Sequence, residues 1–331
     1  MEDQSESSQN QSTSRRNRPP RPPVLGVGDR LGAGDSYIVN DLLPSDIADN
    51  VFHKLKEEVK WQVMHHRGGE VPRLVAVEGE VGQDGSFPVY RHPADESPPL
   101  LPFSPTVSLI REYVQKVVQH PVNHVLIQFY RSGKDYISDH SDKTIDVVRG
   151  SNIVNVSMGA QRVMTLKLKK DKHKGSDIDA PHEGEILPTQ ASNVPAPPRP
   201  SQKIPLPHNS MLVMGLETNA KWLHGINHDN RPFQTKSPEE QREEGGRISL
   251  TFRHIGTFLS KDEAFIWGQG AKGKTREEAG KVIFHQDEVE KLLIAFGDEN
   301  QQSDFDWDQA YGPGFDVLHL TSKEGSGGPP S

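Results

Sequence analysis

Arg247-Ile248-Ser249-Leu250-Thr251-Phe252-Arg253 alternates without a break. On an extended chain Arg247, Ser249, Thr251 and Arg253 face one way, and Ile248, Leu250 and Phe252 face the other. Such a strand has one side for a core and one for polar work. Two arginines on an inward face are costly unless anions meet them. A dicarboxylate such as 2-oxoglutarate would meet both, because guanidinium binds carboxylate through paired hydrogen bonds. The stretch His124–Tyr130 reads the same way: Gln128 and Tyr130 share a face, opposite Val125, Ile127 and Phe129. An amide and a phenol can then reach the same ligand.

Working outward, further short runs rich in Val, Ile, Leu and Phe occur at Ser151–Met158, Arg162–Lys169 and Met211–Gly215, with the first strand extending to Ile255. Gly, Asp, Asn and Pro clusters separate them. Helices are expected at 45–60, where Ser45 can cap and Ile47, Val51, Leu55 and Val59 recur every four residues, and at 106–119. The stretch between them, with Val71-Pro72-Arg73-Leu74, reads as irregular, and a further helix is expected near 275–295. A run of strands with helices outside it predicts an α+β chain with a jelly-roll or barrel core buttressed by helices. Residues 1–30 read as a disordered arm, 31–120 as a helical and irregular substrate-side region, and 121–260 as the core. Polar insertions are expected at 171–208 and 229–246, a C-terminal extension at 261–322, and a disordered tail at 323–331.

The chain has 331 residues, a formal net charge of −8 and no cysteine. Disulfides, zinc–thiolate sites, iron–sulfur clusters and cysteine nucleophiles are excluded. Any metal must sit on His, Asp or Glu. No apolar run approaches a membrane span, and no signal peptide is evident, so an intracellular, cytoplasmic protein without an obligate protein partner is expected. The negative balance argues against a dedicated nucleic-acid binder.

His140-Ser141-Asp142 places an imidazole and a carboxylate two residues apart, on the same side of an extended chain. A third ligand is expected from the stretch after Lys221-Trp222-Leu223, where His224 and His228 compete. Two histidines and one carboxylate leave three open positions on iron(II), as an oxygenase requires.

In order, YRSGKDYISDHSD, NIVNVSMGAQR, MLVMG…WLHGI and RISLTFR resemble the AlkB-like branch of the 2-oxoglutarate dioxygenases, over residues 45–258. The resemblance implies a double-stranded β-helix core and iron on His140, Asp142 and His224. It implies 2-oxoglutarate and O₂ as co-substrates, with Arg247 and Tyr130 on the distal carboxylate. Arg253 would lie nearer the metal-bound end, with Gln128 and Ser249 completing the co-substrate site. Gln128 stands where the family usually has Asn.

Members of this branch remove alkyl groups from nucleobases, a task that needs a basic groove and a flipped base. Here Asp142 is followed by Lys143-Thr144-Ile145 rather than further acidic residues, with Asp146 too late to match. The expectation is therefore oxidation of an unactivated C–H bond of a small molecule, such as an amino acid, by hydroxylation or ring closure. Some fungal members of the branch do this. Nucleic-acid dealkylation, with a nuclear location, is the alternative, and Lys167–Lys174 would be its phosphate strip. An inactive binding module would release no succinate under any condition.

Overall fold

The computed structural model describes residues 22–66, 69–93, 98–170 and 199–320. In chain order it begins with β1 (Tyr37–Val39), α1 (Ser45–Glu58), β2 (Gln62–His66), β3 (Gly69–Gly79), β4 (Phe87–Pro88), β5 (Leu100–Pro102) and α2 (Pro105–Val118). Then come β6 (His124–Tyr130), β7 (Ile137–His140), β8 (Ile153–Gly159), β9 (Arg162–Leu168), β10 (Ser201–Leu206) and β11 (Ser210–Met214). They are followed by α3 (Leu216–Lys221), β12 (Trp222–Ile226), α4 (Pro238–Gln241) and β13 (Arg247–Arg253). The last group is β14 (Thr257–Leu259), β15 (Phe265–Gly268), β16 (Gly280–Lys281), α5 (Gln286–Gln301) and α6 (Trp307–Tyr311).

A large sheet runs β1-β11-β8-β13-β6-β3-β2, with β5 beside β3, and a second runs β10-β9-β12-β7. From β6 to β13 the chain passes back and forth between them, which is a double-stranded β-helix within an α+β fold. Strand β13 lies between β8 and β6. Its Ile248, Leu250 and Phe252 join Val51, Phe52 and Leu55 of α1 and Val107, Ile110 and Val114 of α2 in one buried cluster. Each such side chain contributes about 1.5–3 kcal/mol on burial. A slip of one residue would expose all three and turn the arginines into the apolar layer, so the register is firmly set. Tyr130, Met164, Leu166, Ile204, Leu212 and Trp222 form a second cluster, on the other face of the large sheet.

Strand β8 turns toward β9 at Gly159, where φ is +91° and a Cβ would stand 2.4 Å from the Gly246 carbonyl. Only glycine allows that approach. The next residue, Ala160, donates its N–H to the same carbonyl at 2.7 Å, which seats the chain just before Arg247.

The structure corrects several expectations. The stretch read as irregular supplies β2, β3, β4 and β5. Pro72 disguises β3; the β2–β3 register shifts opposite it, between Val63 and His65, and such irregularities are where a strand tolerates proline. The insertion at 171–208 ends sooner, because β10 pairs with β9 along its whole length. Nor is the arm detached up to residue 30: Leu25 donates to the Lys203 carbonyl and Lys203 to that of Pro23, both at 2.8 Å. The helix placed at 275–295 forms at 286–301, after a single 3-10 turn at Arg276–Glu278. Pro44, not Ser45, caps α1, and no side chain completes that cap. Residues 1–21, 171–198 and 321–331, which hold most of the arm, most of the first insertion and the tail, lie outside the described residues. No helix among the described residues is long and apolar enough to cross a membrane.

Asp146 anchors the C-terminal segment. Its carboxylate accepts from Arg91 Nη2 at 2.7 Å and from the Arg91 N–H at 2.8 Å. The same guanidinium donates to the carbonyls of Gly270 and Phe315 at 2.8 and 2.7 Å. Both side chains are almost wholly buried. Removing one partner of such a pair strands a buried charge, so Asp146→Ala is expected to cost about 3–5 kcal/mol of stability. Urea unfolding measures this; a cost below about 1 kcal/mol would show that the pair anchors nothing.

Candidate metal centre and co-substrate cleft

Strands β7 and β12 are neighbours, and their register sets His224 across from His140. Asp142 stands two residues past the end of β7. Ligating atoms of His140, Asp142 and His224 all lie within 4.8 Å of one another. Asp142 Oδ1 is 3.8 Å from His140 Nε2 and 3.6 Å from His224 Nε2. These separations are long for hydrogen bonds. They suit three donors around one ion, each roughly 2.0–2.2 Å from it.

His140 Nδ1 lies 2.8 Å from the Ser138 carbonyl, which can only accept, so Nδ1 carries the proton and Nε2 keeps its lone pair. Burial lowers the pKa of both imidazoles. That of His224 is pushed down to about 3, with the neighbouring His140 adding to the effect. Both rings are neutral near pH 7, the form that binds metal. Burial opposes the charge on Asp142, but Arg253, His224 and His140 outweigh it and hold the carboxyl well below the usual range. Arg253 donates to Asp142 Oδ2 through Nε at 2.9 Å and Nη2 at 2.6 Å. Its guanidinium carbon lies 4.0 Å from the ring centre of Tyr90.

Arg247 is 1% exposed. Its Nη2 donates to Asn155 Oδ1 at 3.0 Å and Ser157 Oγ at 2.7 Å, while Nε and Nη1 are buried without a hydrogen-bond partner. Tyr130 is its cross-strand neighbour, with the ring centre 5.3 Å from the guanidinium carbon. Burial pushes the Arg247 pKa down to about 10, so it remains charged near pH 7. A buried cation with two idle donors is expensive on its own and well matched to a carboxylate. One cleft is lined by Arg247, Tyr130 and Ser249 as well as by His140, Asp142 and His224.

The eight residues singled out from sequence all line that cleft. Two do so differently from expectation. Two Arg253 donors are committed to Asp142, leaving only Nη1 unpartnered. The Ser249 hydroxyl accepts from Asn155 Nδ2 at 2.8 Å, so it touches the amide that steadies Arg247. With its amide oxygen toward Arg73, Gln128 accepts from Nε at 2.8 Å, and its nitrogen then faces the Tyr130 phenol. Asn155 and Ser157 were not singled out; their only sequence signal is alternation with Val154 and Val156 along β8. Asn219, also overlooked, brackets Asp142 by accepting from its N–H and donating to its carbonyl, both at 2.9 Å.

His228 packs on Tyr136 with ring centres 3.9 Å apart, and it is not in the three-residue cluster. His208 accepts from the Gly159 N–H at 3.0 Å and buries its other nitrogen. Two lysines of the strip are engaged with the protein itself, while Lys170 stays exposed. Lys167 pairs with Asp139 at 2.5 Å, and buried Lys169 donates to the Glu299 carbonyl at 2.6 Å. Trp222 packs in the cluster between the sheets.

A family model described as the 2OG-Fe(II) oxygenase superfamily matches residues 35–253. The chain is similar to the human protein named DNA oxidative demethylase ALKBH2, at 28% identity over 215 residues, covering 63% of this chain and 69% of that one. It is 26% identical over 212 residues to the bovine alpha-ketoglutarate-dependent dioxygenase alkB homolog 3, covering 63% and 62%, which is under two thirds of that relative's length. A solved chain described as the structure of OsALKBH1 aligns at 16% identity and a TM-score of 0.39, covering 66% of this chain and 97% of that one. With the jelly-roll topology and the His-x-Asp…His cluster in place, the chain belongs to the 2OG-Fe(II) oxygenase superfamily, in its AlkB-like branch, and is a dioxygenase dependent on Fe(II) and 2-oxoglutarate.

Proposed function

We propose that the chain is an AlkB-type oxidative dealkylase of N-alkylated nucleobases, with His140, Asp142 and His224 holding the iron. Arg247, with Tyr130 beside it, receives the distal carboxylate of 2-oxoglutarate. The observation that carries the co-substrate assignment is the pair of unpartnered nitrogens on buried Arg247, in the same cleft as the three ligands. Asn155 and Ser157 orient the guanidinium, and Arg253 orients Asp142 while keeping one nitrogen free for the keto-acid end. Bound iron, 2-oxoglutarate and O₂ supply the oxidising equivalents, with succinate and CO₂ as by-products.

A second cavity of about 560 Å³ adjoins the cleft, sharing His140, Asp142, Gln128 and Arg253 with it and lined among others by Val75, Tyr90, Leu293 and Phe296. It has room for one base-sized group. The names of the relatives favour a nucleobase: hydroxylation of its N-alkyl carbon gives a hemiaminal that sheds an aldehyde. A specific observation supports a second reading, a free small acid such as an amino acid. Helix α5 walls the cavity, and Arg73, Lys143 and Arg253 place three cations on its lining.

Succinate release separates the two. Protein loaded anaerobically with Fe(II) and 2-oxoglutarate is exposed to O₂ with an N-methylated single-stranded oligonucleotide or with a panel of amino acids. The first reading expects formaldehyde in step with succinate from the oligonucleotide, and retention on DNA that weakens with salt. Succinate above background with amino acids alone would transfer the assignment to the second.

A further inference from the structure

His140 and His224 are fixed by the β7–β12 ladder, but Asp142 lies past the end of β7, on a turn without strand pairing. What holds that turn is a set of side chains. The four consecutive N–H groups of Ser141, Asp142, Lys143 and Thr144 donate, in order, to Asn300 Oδ1 at 2.9 Å, Asn219 Oδ1 at 2.9 Å, the Tyr90 hydroxyl at 3.1 Å and Glu299 Oε1 at 3.0 Å. Buried N–H groups need acceptors, and here every one is met by a different residue.

Two of the four acceptors come from the last turn of α5, a helix wholly outside the region the family model matches. Glu299 is 3% exposed and fully engaged. Its Oε1 also accepts the Thr144 hydroxyl, Oε2 accepts the Tyr311 hydroxyl at 2.7 Å, and its carbonyl accepts Lys169 Nζ at 2.6 Å. Asn300 Oδ1 faces Lys143 Nζ at 3.5 Å as well. Leu292, Phe296 and Tyr311 pack with Ile145 just beyond the turn and hold the helix there.

We propose that Glu299 and Asn300 are positioning residues for the metal ligand Asp142, so that the C-terminal segment completes the metal site. The jelly roll supplies two histidines in register and, through Arg253 and Asn219, part of the hold on Asp142; the appended helix fixes the backbone on either side of that residue, at Ser141 and Thr144. This inference rests on His140, Asp142 and His224 being the metal ligands, and its test reports on that assignment separately.

The measurement is anaerobic titration of the metal-free full chain with Co(II), followed by visible absorption, alongside circular dichroism and thermal melting. Wild-type protein is expected to bind Co(II). Glu299→Ala and Asn300→Ala are expected to weaken binding by about 10–100-fold, the usual effect of losing a group that orients a metal ligand. Glu299→Gln, which keeps an acceptor oxygen for Thr144, is expected to stay within about threefold of wild type. Val289→Ala controls for loosened packing: it removes buried surface from α5 ten residues away, and is expected to lower the melting temperature without weakening the metal. If Glu299→Ala does not fold, Asn300→Ala decides. Folded alanine variants binding Co(II) like wild type would overturn the positioning role. Wild-type protein that binds no Co(II) would overturn the ligand assignment itself.

Discussion

Replacing Arg247 by Met is expected to abolish 2-oxoglutarate-dependent turnover while leaving the metal in place. The residue is buried on β13, and two of its three nitrogens have no hydrogen-bond partner. A carboxylate meeting both would gain two charge-assisted hydrogen bonds, each contributing about 1.5–3 kcal/mol. Losing them corresponds to roughly 10²–10⁴-fold weaker binding. Methionine fills similar space without a charge. Because two of the three guanidinium nitrogens lack a partner without co-substrate, relief of that buried charge offsets the donor lost to Asn155 and Ser157, and the thermal midpoint is expected to stay near that of wild type. The diagnostic pattern is therefore a collapse in 2-oxoglutarate affinity with no loss of fold. It is checked by anaerobic titration of 2-oxoglutarate into metal-loaded protein and by melting without co-substrate. Affinity within threefold of wild type would sink the carboxylate assignment.

Strand β13 was legible because every second residue is polar and the rest are Ile, Leu and Phe, a pattern that few contexts other than a half-polar sheet can satisfy. The same holds for Gln128 and Tyr130 on β6. Strands β3 and β10 were hidden by Pro72 and Pro205, which usually argue against a strand; one lies opposite a register shift and the other in the edge strand β10. Helix α5 was misplaced because Arg276, Glu277, Glu278 and Ala279 are good helix formers in the wrong place, with Gly280 and β16 intervening. The supporting groups were the least legible. Asn155 and Ser157 look like ordinary outward polar residues, yet they point inward and orient Arg247. Glu299 and Asn300 lie more than 150 residues from the turn they hold, and no local pattern marks such a pairing.

His224 and His228 pose the sharpest choice in the chain, since either could be the third ligand on sequence alone. His224 is buried on β12 opposite His140, its Nε2 within 3.6 Å of Asp142 Oδ1. His228 lies past the end of the same strand, against Tyr136, with Nδ1 3.1 Å from the Lys134 carbonyl. His224→Ala is expected to remove metal binding and bring succinate release to background. Groups that merely orient a ligand are worth about 10–100-fold, and loss of a ligand should exceed this, at about 10³-fold or more. The fold should tolerate the change, because His224 is a neutral ring whose Nδ1 makes no hydrogen bond. Its removal leaves Arg253 still holding Asp142. His228→Ala should stay within about twofold of wild type in both readouts, well below the effect of a ligand. Metal content after gel filtration and succinate release with 2-oxoglutarate measure the two together. A His228→Ala protein that loses its iron while His224→Ala keeps it would reverse the assignment.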